Sequence, residues 1–422
     1  HITNEIKDFV YRVGRKTNAD VVITEIGGTV GDIEGLPFLE AIRQVKKAVG
    51  RNDCLYIHVT LVPFVTGAGE LKTKPTQHSV KELRSLGIQP DILICRSAKP
   101  IPQDMCEKMA MFCDVDADAV FQNLTARSIY EVPVLLEKQG LDEVVLRKLD
   151  VDATNHPLDM TEWHDMVERM LKDYDRKVTL GVVGKYVELQ DSYISLTEAL
   201  RHAAMANEAN LDIKWINAEL VEEGEIDLEA ELKDVDCILV PGGFGSKGLE
   251  GKISAIKYAR ENKVPFFGIC LGMQCAIVEY ARHIGMTDAN TTEANAETAY
   301  PVIDILPDQQ DVEEKGAMRL GLYPCKVAAG SLTEKAYGEA LIYERHRNRY
   351  EVNNAYREEL EKNGLVIAGA LPNGRLVEIV ELPTDVHPWF MGVQFHPELK
   401  SRPTNPHPLF RDFIAAALKE QK

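Results

Sequence analysis

Short apolar runs alternate with helix-forming stretches in both halves of the chain, and this alternation limits the possible fold more than any other feature. In the first half, predicted strands at residues 21–25, 55–61, 91–95 and 119–121 accompany predicted helices at 2–13, 37–49 and 79–86. In the second half, predicted strands at 178–183, 213–216, 237–240 and 265–269 accompany predicted helices at 196–204 and 253–262. Short all-apolar strands separated by helices are typical of parallel sheets covered on both faces. The sequence therefore predicts an α/β protein with two doubly wound domains.

The domain limits follow from changes in this pattern. A chain of 422 residues suits two or three domains. We place a first domain at 1–151, a second at 177–422, and between them a linker at 152–176 that is polar apart from a helix predicted at Thr161–Leu171. The acidic, turn-rich segment 287–316 is predicted to be an insertion in the second domain.

The chain is acidic, with 48 Lys and Arg against 66 Asp and Glu and a formal net charge of −18. Such a surface repels nucleic acid and anionic lipid, so we expect neither as a partner, and a phosphate-bearing ligand needs a local basic cluster. The longest apolar run, 264–278, contains Pro265 and Gly268 and lacks the pattern of a membrane span. The eight cysteines form no C-x-x-C pair, which favours reduced thiols and a cytoplasmic enzyme over a disulfide framework.

Residues 267–272, F-G-I-C-L-G, predict a nucleophile elbow centred on Cys270. A strand at 264–269 leads into a tight turn, and a helix at 273–282 follows. The glycines permit the strained turn that lifts the sulfur above the sheet, and the helix N-terminus favours the reactive thiolate. A buried cysteine in a Gly-containing turn is the simpler alternative, since lone cysteines usually serve packing.

Two further motifs favour a catalytic cysteine. His396 and Glu398, in Q-F-H-P-E, are two residues apart, so on an extended chain they project to the same side. Glu398 can then orient the imidazole while His396 takes the thiol proton. The motif P-G-G-F-G at 241–245 follows a strand, and its backbone N–H groups can bind an oxyanion. A phosphate-binding loop is a weaker alternative because no Gly-Lys-Ser/Thr follows, and a plain turn is the simplest.

Two motifs of the first half have the chemistry of a nucleotide site. Glu25 follows a predicted strand and begins E-I-G-G-T-V-G-D-I-E; a carboxylate at the carboxyl end of a parallel strand suits Mg²⁺ that carries nucleotide phosphates. The string K-T-K-P-T-Q-H-S at 72–79 places two lysines before a predicted helix that Ser79 can cap. This loop supplies the positive charge that an acidic chain needs to hold a triphosphate. An exposed acidic turn and a solvated basic loop are the alternatives.

The set P-G-G-F-G, G-I-C-L-G-M-Q and Q-F-H-P-E resembles the triad-type glutamine amidotransferases. Together with K-T-K-P-T-Q-H-S, the acidic turn after Glu25 and the string G-I-Q-P-D-I-L-I-C-R-S at 87–97, the whole chain resembles the CTP synthase family. The resemblance implies a P-loop-type amidoligase (synthetase) domain followed by a flavodoxin-like class I glutamine amidotransferase domain.

The resemblance assigns roles residue by residue. It makes Cys270 the nucleophile, His396 the base and acid, and Glu398 the group that orients His396. The implied glutamine-binding residues are Gly243, Leu271, Gly272, Met273, Gln274, Glu293 and Arg349, and a guanidinium such as that of Arg349 suits the α-carboxylate. The implied UTP and CTP site contains Asp32, Ile33, Glu34, Lys72, Thr73, Lys74, Pro75, Thr76, Gln77 and Lys108. The implied ATP site contains Arg96, Leu124, Thr125 and Ala126, and Glu25 is the implied Mg²⁺ ligand.

The resemblance also implies the reaction. ATP phosphorylates the uracil O4 of UTP, and ammonia displaces that phosphate to give CTP in the last step of CTP biosynthesis. The ammonia comes from glutamine hydrolysed at Cys270 and passes through an internal tunnel, or is supplied free. GTP activates the glutamine half, CTP inhibits, and the enzyme is a homotetramer.

One family feature is missing from the sequence. The family has an N-terminal P-loop, yet these 422 residues contain no G-x-x-x-x-G-K-[ST]. We therefore expect the first domain to be N-terminally truncated and its ATP site incomplete. Four alternatives stay open: a glutamine hydrolase without synthetase activity, a related γ-glutamyl thiol hydrolase, a catalytically inactive assembly or regulatory subunit, and a related enzyme that aminates a different acceptor.

Overall fold

The computed structural model describes residues 1–152, 154–155, 157–185, 187, 190–305 and 318–421. The chain divides into two compact units, His1–Val167 and Glu168–Lys422, and the division falls inside the helix predicted at Thr161–Leu171, which is found at those residues. The domain limits 1–151 and 177–422 stay predictions. Among the described residues, no helix has both the length and the apolar character needed to cross a membrane.

The first unit contains a parallel three-stranded sheet. The strands of this unit are β1 (Ile57–Leu61), β2 (Phe64–Val65), β3 (Glu70–Leu71), β4 (Ile92–Ser97) and β5 (Val120–Leu124). The helices of this unit are α1 (Ile2–Thr17), α2 (Leu36–Val49), α3 (Lys74–Ser85), α4 (Gln103–Cys113), α5 (Val132–Glu137) and α6 (Leu141–Lys148), and α7 (Thr161–Leu171) spans the boundary with the second unit. The sheet order is β1-β4-β5, and β2 and β3 form a separate antiparallel pair. Buried side chains of β4, such as Leu93 and Cys95, pack against α3 and α4.

Two predictions about this unit are wrong. Residues 21–25 form no strand, because none of the described strands pairs with them, and the side chain of Ile23 is 92% exposed. Ser79 does not cap a helix, because α3 begins five residues earlier, at Lys74. Proline fits the first turn of a helix, and Pro75 stands there in α3. Ser79 instead lies inside α3 and pairs with His58 Nε2 at 2.9 Å.

The second unit contains a nine-stranded mixed sheet. The strands of this unit are β6 (Arg176–Gly184), β7 (Ala209–Asn217), β8 (Cys237–Val240), β9 (Phe266–Ile269), β10 (Ala289–Thr291), β11 (Tyr300–Asp304), β12 (Arg319–Val327), β13 (Leu341–Asn348), β14 (Glu351–Val352), β15 (Val366–Ala370), β16 (Val377–Glu381) and β17 (Phe390–Val393). Strands β10, β11 and β14 form a separate small sheet. The helices of this unit are α8 (Ile194–Ala206), α9 (Ala218–Glu222), α10 (Leu228–Leu232), α11 (Leu249–Asn262), α12 (Leu271–His283), α13 (Leu332–Tyr337), α14 (Arg357–Lys362) and α15 (Pro408–Glu420). The predicted insertion 287–316 contains β10 and β11, and its part from 306 onward lies outside the described residues.

The large sheet has a parallel half and an antiparallel half. Its order is β13-β12-β15-β16-β17-β9-β8-β6-β7, and the strands from β17 to β7 are parallel. Apolar side chains of these strands point to both faces. One face packs against α8 and α15, as at Phe267 and Phe413, and the other packs against α11 and α12, as at Phe266 and Ile256. The doubly wound architecture predicted for this unit is present in its parallel half.

Strand pairing brings two distant motifs together. Strands β9 and β17 run side by side in parallel, with Ile269 opposite Val393. The Cys270 backbone N–H donates to the Val393 carbonyl at 2.7 Å, one residue beyond the last pair. The segments that follow these two neighbouring strands therefore begin at the same edge of the sheet, where ligands of α/β proteins bind.

Candidate functional site

Cys270 occupies the strained turn that its sequence predicts. It precedes α12 with φ 53° and ψ −105°, a conformation that side-chain-bearing residues rarely adopt. The glycines on either side allow close packing. A Cβ on Gly272 would lie 2.0 Å from the Val240 carbonyl oxygen, and a Cβ on Gly268 would lie 2.7 Å from the Gly272 backbone. The turn therefore requires glycine at both positions.

His396 contacts both predicted triad partners. Its Nδ1 lies 2.7 Å from Glu398 Oε1, and its ring also forms a side-chain hydrogen bond with Cys270. Burial lowers the pKa of His396, but its hydrogen bonds to Cys270 and Glu398 outweigh this effect and raise the pKa to about 10. The His396 backbone N–H donates to the Arg345 carbonyl at 2.8 Å. The ring is thus held between a carboxylate and a thiol.

The route by which Glu398 reaches His396 differs from the predicted one. Glu398 lies in a 3-10 helix, Pro397–Leu399, rather than on an extended chain. Pro397 at the first helical position starts this turn. The pairing predicted from extended-chain geometry is present, but the extended geometry is wrong.

A pocket lined by Cys270 contains four of the predicted glutamine-binding residues. Its lining residues are Gly243, Phe244, Cys270, Gln274, Glu293, Met318, Asn348, Arg349 and Tyr350. Phe244, Met318, Asn348 and Tyr350 were not predicted, although Phe244, Asn348 and Tyr350 are each adjacent in sequence to a predicted residue. The pocket combines a thiol, a carboxylate and a guanidinium, which are the groups needed to hold and cleave an α-amino acid side chain.

The other predicted glutamine residues contribute through backbone or packing. Leu271 is the first residue of α12, so its backbone N–H is free of the helical ladder. Gly272 and Met273 do not face the pocket, because Gly272 packs against β8 and Met273 packs against Gly392 of β17. Glu293 Oε1 accepts a hydrogen bond from the Gly245 backbone N–H at 2.9 Å, which fixes the glycine loop.

A chain of buried amides connects this pocket to the sulfur. Gln274 Nε2 donates to the Tyr350 carbonyl at 3.0 Å and to Gln394 Oε1 at 3.1 Å. Gln394 Nε2 in turn lies 3.6 Å from Cys270 Sγ. Gln394 belongs to the Q-F-H-P-E motif, yet no role was predicted for it, because the motif alone does not show where its side chain points.

A buried charge cluster lies behind the pocket wall. Arg319 donates to Glu351 Oε1 and to Glu378 Oε1, each at 2.7 Å, and His346 Nε2 lies 3.2 Å from Glu378 Oε2. Asn348, a pocket residue, donates to the same Glu351 oxygen at 2.7 Å. Burial raises the pKa of Glu378 to about 8 and lowers the pKa of His346 to about 3. One guanidinium thus holds two carboxyl groups out of contact with water.

In the first unit, the predicted nucleotide loop forms the start of α3. Thr73 and Thr76 are buried, and the Thr76 hydroxyl donates to the Leu61 carbonyl at 3.1 Å. Lys74 and Pro75 are exposed, and the Lys72 amine pairs with Glu70. Gln77 Nε2 donates to Thr73 Oγ1 at 3.3 Å. The loop therefore presents a helix N-terminus flanked by two lysines, an arrangement that suits anions.

The remaining predicted nucleotide residues lie mostly at the surface of the first unit. Glu25, Asp32, Ile33, Glu34 and Lys108 are exposed, and Asp32 Oδ2 accepts from the Thr29 backbone at 3.1 Å. Arg96 donates to the Asn123 carbonyl at 3.2 Å and to Thr125 Oγ1 at 3.3 Å, which orders the segment that contains Leu124, Thr125 and Ala126. Within the described part of the chain, no three His, Cys, Asp or Glu side chains cluster as a metal site.

Comparisons with known proteins cover both units. A family model described as CTP synthase N-terminus matches residues 1–151, and one described as glutamine amidotransferase class-I matches residues 188–416. The chain is 59% identical to a CTP synthase of Clostridium kluyveri, with 100% of this chain and 78% of that protein aligned. The chain belongs to the CTP synthase family. A CTP synthase of Geobacillus kaustophilus is 57% identical over the same shares of the two chains.

A solved structure supports the assignment of the second unit. It is the glutaminase domain of Trypanosoma brucei CTPS with bound acivicin, and it is 38% identical with a TM-score of 0.54. It covers 58% of this chain, and 95% of that structure is matched. The two predicted domain types of CTP synthase are therefore both present in this chain.

One prediction about the first domain needs correction. The N-terminal model of the CTP synthase family matches residues 1–151, so the prediction that this domain lacks its N-terminal segment is not borne out by the family match. That prediction rested on one absent motif, and a single motif does not define the extent of a domain.

Proposed function

We propose that this chain makes CTP by ATP-dependent amination of UTP, with ammonia released from glutamine. The contact of His396 with both Cys270 and Glu398, beside a pocket that contains Glu293 and Arg349, carries this proposal. Membership of the CTP synthase family supports UTP as the acceptor of the ammonia. The two domain types of the family correspond to the two half-reactions, amination of UTP and hydrolysis of glutamine.

The geometry supports a thioester route for glutamine hydrolysis. His396 takes the Cys270 proton, and the sulfur attacks the side-chain amide carbon of glutamine. The oxyanion that forms is stabilised by the backbone N–H groups of Gly243 and Leu271. His396 then gives the proton to the leaving nitrogen, so ammonia departs and a glutamyl thioester remains. Water activated by His396 hydrolyses the thioester and restores the thiol.

Charged groups of the pocket orient the substrate. Arg349 binds the α-carboxylate of glutamine, for which a planar guanidinium has matching geometry. Glu293 binds the α-ammonium group, with Gln274 at the pocket wall. Because Glu293 also holds the Gly245 backbone, substrate binding is coupled to the position of the glycine loop.

The first unit provides the nucleotide half of the reaction. The N-terminus of α3 with Lys72, Lys74 and residues 75–77 holds the UTP phosphates, and Asp32, Ile33, Glu34 and Lys108 complete the UTP and CTP site. Arg96 positions residues 124–126 for ATP. Glu25 is a single exposed carboxylate, which suits Mg²⁺ when nucleotide phosphates supply further oxygen ligands. Activation by GTP, a homotetrameric assembly and a cytoplasmic location complete the proposal by family resemblance.

Replacing Cys270 with Ala tests the proposal. The variant should lose glutamine hydrolysis and glutamine-dependent CTP formation, because the thioester forms on its sulfur. With ammonia in place of glutamine, it should form CTP from UTP, ATP and Mg²⁺ at the rate of the unmodified chain. Continued release of glutamate by Cys270→Ala would exclude Cys270 as the nucleophile. Glutamate release without CTP in the unmodified chain would instead favour a plain glutamine hydrolase.

A further inference from the structure

We propose that Gln394 is a further catalytic residue, whose side-chain amide donates a hydrogen bond to the Cys270 sulfur and stabilises the thiolate. The inference rests on the proposed function in one respect, namely that Cys270 is the nucleophile. Gln394 Nε2 lies 3.6 Å from Cys270 Sγ, which is hydrogen-bond distance for a sulfur acceptor. Gln394 is fully buried, and Cys270 is 4% exposed. Because water is largely excluded from this contact, bulk water competes little with the amide for the sulfur. The Arg347 carbonyl oxygen also lies 3.9 Å from Cys270 Sγ.

The orientation of the Gln394 amide follows from its neighbours. The Tyr350 carbonyl can only accept hydrogen bonds, so the group that Gln274 points at it must be the NH₂. The same NH₂ reaches Gln394 at 3.1 Å, so Gln394 must present its oxygen to Gln274. The NH₂ of Gln394 therefore faces the sulfur. The Tyr350 carbonyl therefore determines the donor and acceptor orientation of both side-chain amides.

The backbone holds Gln394 in place as well. Its N–H donates to the Glu378 carbonyl at 2.9 Å, and the residue directly follows β17, the strand paired with β9. The Tyr350 carbonyl that orients the chain also accepts from Asn348 at 3.0 Å, and Asn348 is bound to Glu351. The donor is thus fixed from two directions before substrate arrives, which is the condition for electrostatic stabilisation without reorganisation.

The chemistry gives this donor a role distinct from that of His396. When the proton moves from Sγ to His396, the sulfur gains a negative charge that both the imidazolium and the Gln394 N–H stabilise. The C–S bond then forms, and His396 donates its proton to the amide nitrogen as the C–N bond breaks, so that ammonia leaves. Gln394 neither gains nor loses a proton. It can therefore stabilise the thiolate again when water displaces the sulfur from the thioester.

Two variants test the role of Gln394 through the sulfur itself. Gln394→Met keeps the length of the side chain and removes the N–H donor, and Gln394→Glu keeps its shape and places a carboxylate beside the sulfur. The readout is alkylation of Cys270 by iodoacetamide between pH 5 and 10, followed by mass measurement of the peptide that contains Cys270. We expect Gln394→Met to raise the pH of half-maximal alkylation by about one pH unit, which is a tenfold change in thiolate. Gln394→Glu should raise it further.

A matched control removes a buried hydrogen bond elsewhere in the same unit. Thr333 is fully buried, and its hydroxyl donates to Glu381 Oε2 at 3.2 Å. Thr333→Val should leave the midpoint of Cys270 alkylation unchanged. An unchanged midpoint in either folded Gln394 variant would overturn the proposal. Alkylation measures the reactivity of the Cys270 sulfur whether or not glutamine is hydrolysed. The role of Gln394 can therefore be disproved while Cys270→Ala still loses glutamine hydrolysis. Equally, the role of Gln394 can hold if the proposed function is wrong.

Discussion

At the scale of single residues, the carboxyl pair around Arg319 is best explained by one retained proton. Oε2 of Glu378 and Oε2 of Glu351 are both buried, and among the described residues neither atom has a hydrogen-bond donor. Two buried carboxylates on one guanidinium leave an uncompensated charge, which is costly. A proton on Glu378 Oε2 removes that charge and can be donated to the neutral His346 Nε2, 3.2 Å away. This protonation agrees with the pKa of Glu378, which burial raises to about 8.

Replacing Glu378 with Gln should therefore preserve or increase stability above neutral pH. The folded-state pKa of Glu378 lies above the unfolded value, so the unmodified chain loses stability as pH rises toward about 8. Gln remains neutral and can form hydrogen bonds with both Arg319 and His346. The stability of the variant relative to the unmodified chain should therefore be higher at pH 8.5 than at pH 5 by about 4 kcal/mol. Urea unfolding at the two pH values measures the difference.

The matched variant Glu351→Gln should behave in the opposite way. With Glu378 protonated, Glu351 is the carboxylate that balances Arg319, and its loss leaves a buried cation. We expect a loss of about 3 kcal/mol at pH 7. Equal effects of the two Gln variants would contradict a proton that resides on Glu378.

This cluster could not be predicted from sequence, because alternation does not reveal which face of a strand is buried. In β13, Glu344, His346 and Asn348 point inward, whereas Arg345 and Arg347 are exposed on the other face. From sequence alone the whole stretch has the composition of a solvated basic loop. The partners that neutralise its inward face, Arg319 and Glu378, come from other strands and carry no local signal.

At the scale of elements, the turn between β9 and α12 could be predicted because its chemistry is local. The glycines and the cysteine lie within six consecutive residues, and this spacing after an apolar run strongly favours a strand–turn–helix. The start of α3 could not be predicted so well. Its first turn, with Lys74 and Pro75, has the composition of a loop, and its helical state depends on burial of Thr76 against β1.

Gly272→Ala should abolish glutamine hydrolysis and lower the melting temperature. The added Cβ would lie 2.0 Å from the Val240 carbonyl oxygen, so α12 must move away from β8 and carry the Cys270 turn with it. We expect a loss of about 3 kcal/mol, as for other substitutions that overfill a packed core. Gly67→Ala is the control, because a Cβ there meets nothing within 4 Å. Activity retained by Gly272→Ala would mean that the turn tolerates a displacement of α12 from β8.

At the scale of the whole molecule, four histidines that are largely shielded from water make the fold sensitive to acid. Burial lowers the pKa values of His58 in the first unit and of His202, His346 and His387 in the second. Each folded-state pKa lies below the unfolded value of about 6.5, so the unfolded chain binds more protons in this window and stability falls as pH drops below it. Both units should lose stability in acid.

His387→Gln tests this at a site remote from the proposed chemistry. His387 is 1% exposed and bonds the Ala259 carbonyl at 3.0 Å. The variant should lose about 1 kcal/mol less than the unmodified chain between pH 7 and pH 5, measured by urea unfolding. His78→Gln, at an exposed position, should leave the acid response as it is. An identical decline in the His387 variant would show that this histidine does not contribute.

Family and architecture could be predicted for the whole chain because they depend on local motifs and on the alternation of apolar strands with helices. Both are visible in the sequence. The predicted truncation of the first domain rested on a missing motif, and the family match over residues 1–151 does not bear it out. Contacts made by long-range pairing, such as that of Gln394 with Cys270, had no sequence signal. Their geometry depends on strand order, which a single sequence does not display.

The pairing of β9 with β17 also has a consequence for how the chain acquires its activity. The residues that meet beside the sulfur, Gln394 and Cys270, are 124 positions apart along the chain. Contacts between remote parts of a chain form slowly, because the intervening loop must close first. Recovery of glutamine hydrolysis after dilution from urea should therefore lag behind the recovery of helical circular dichroism, and regained turnover would mark the completion of refolding in the second unit.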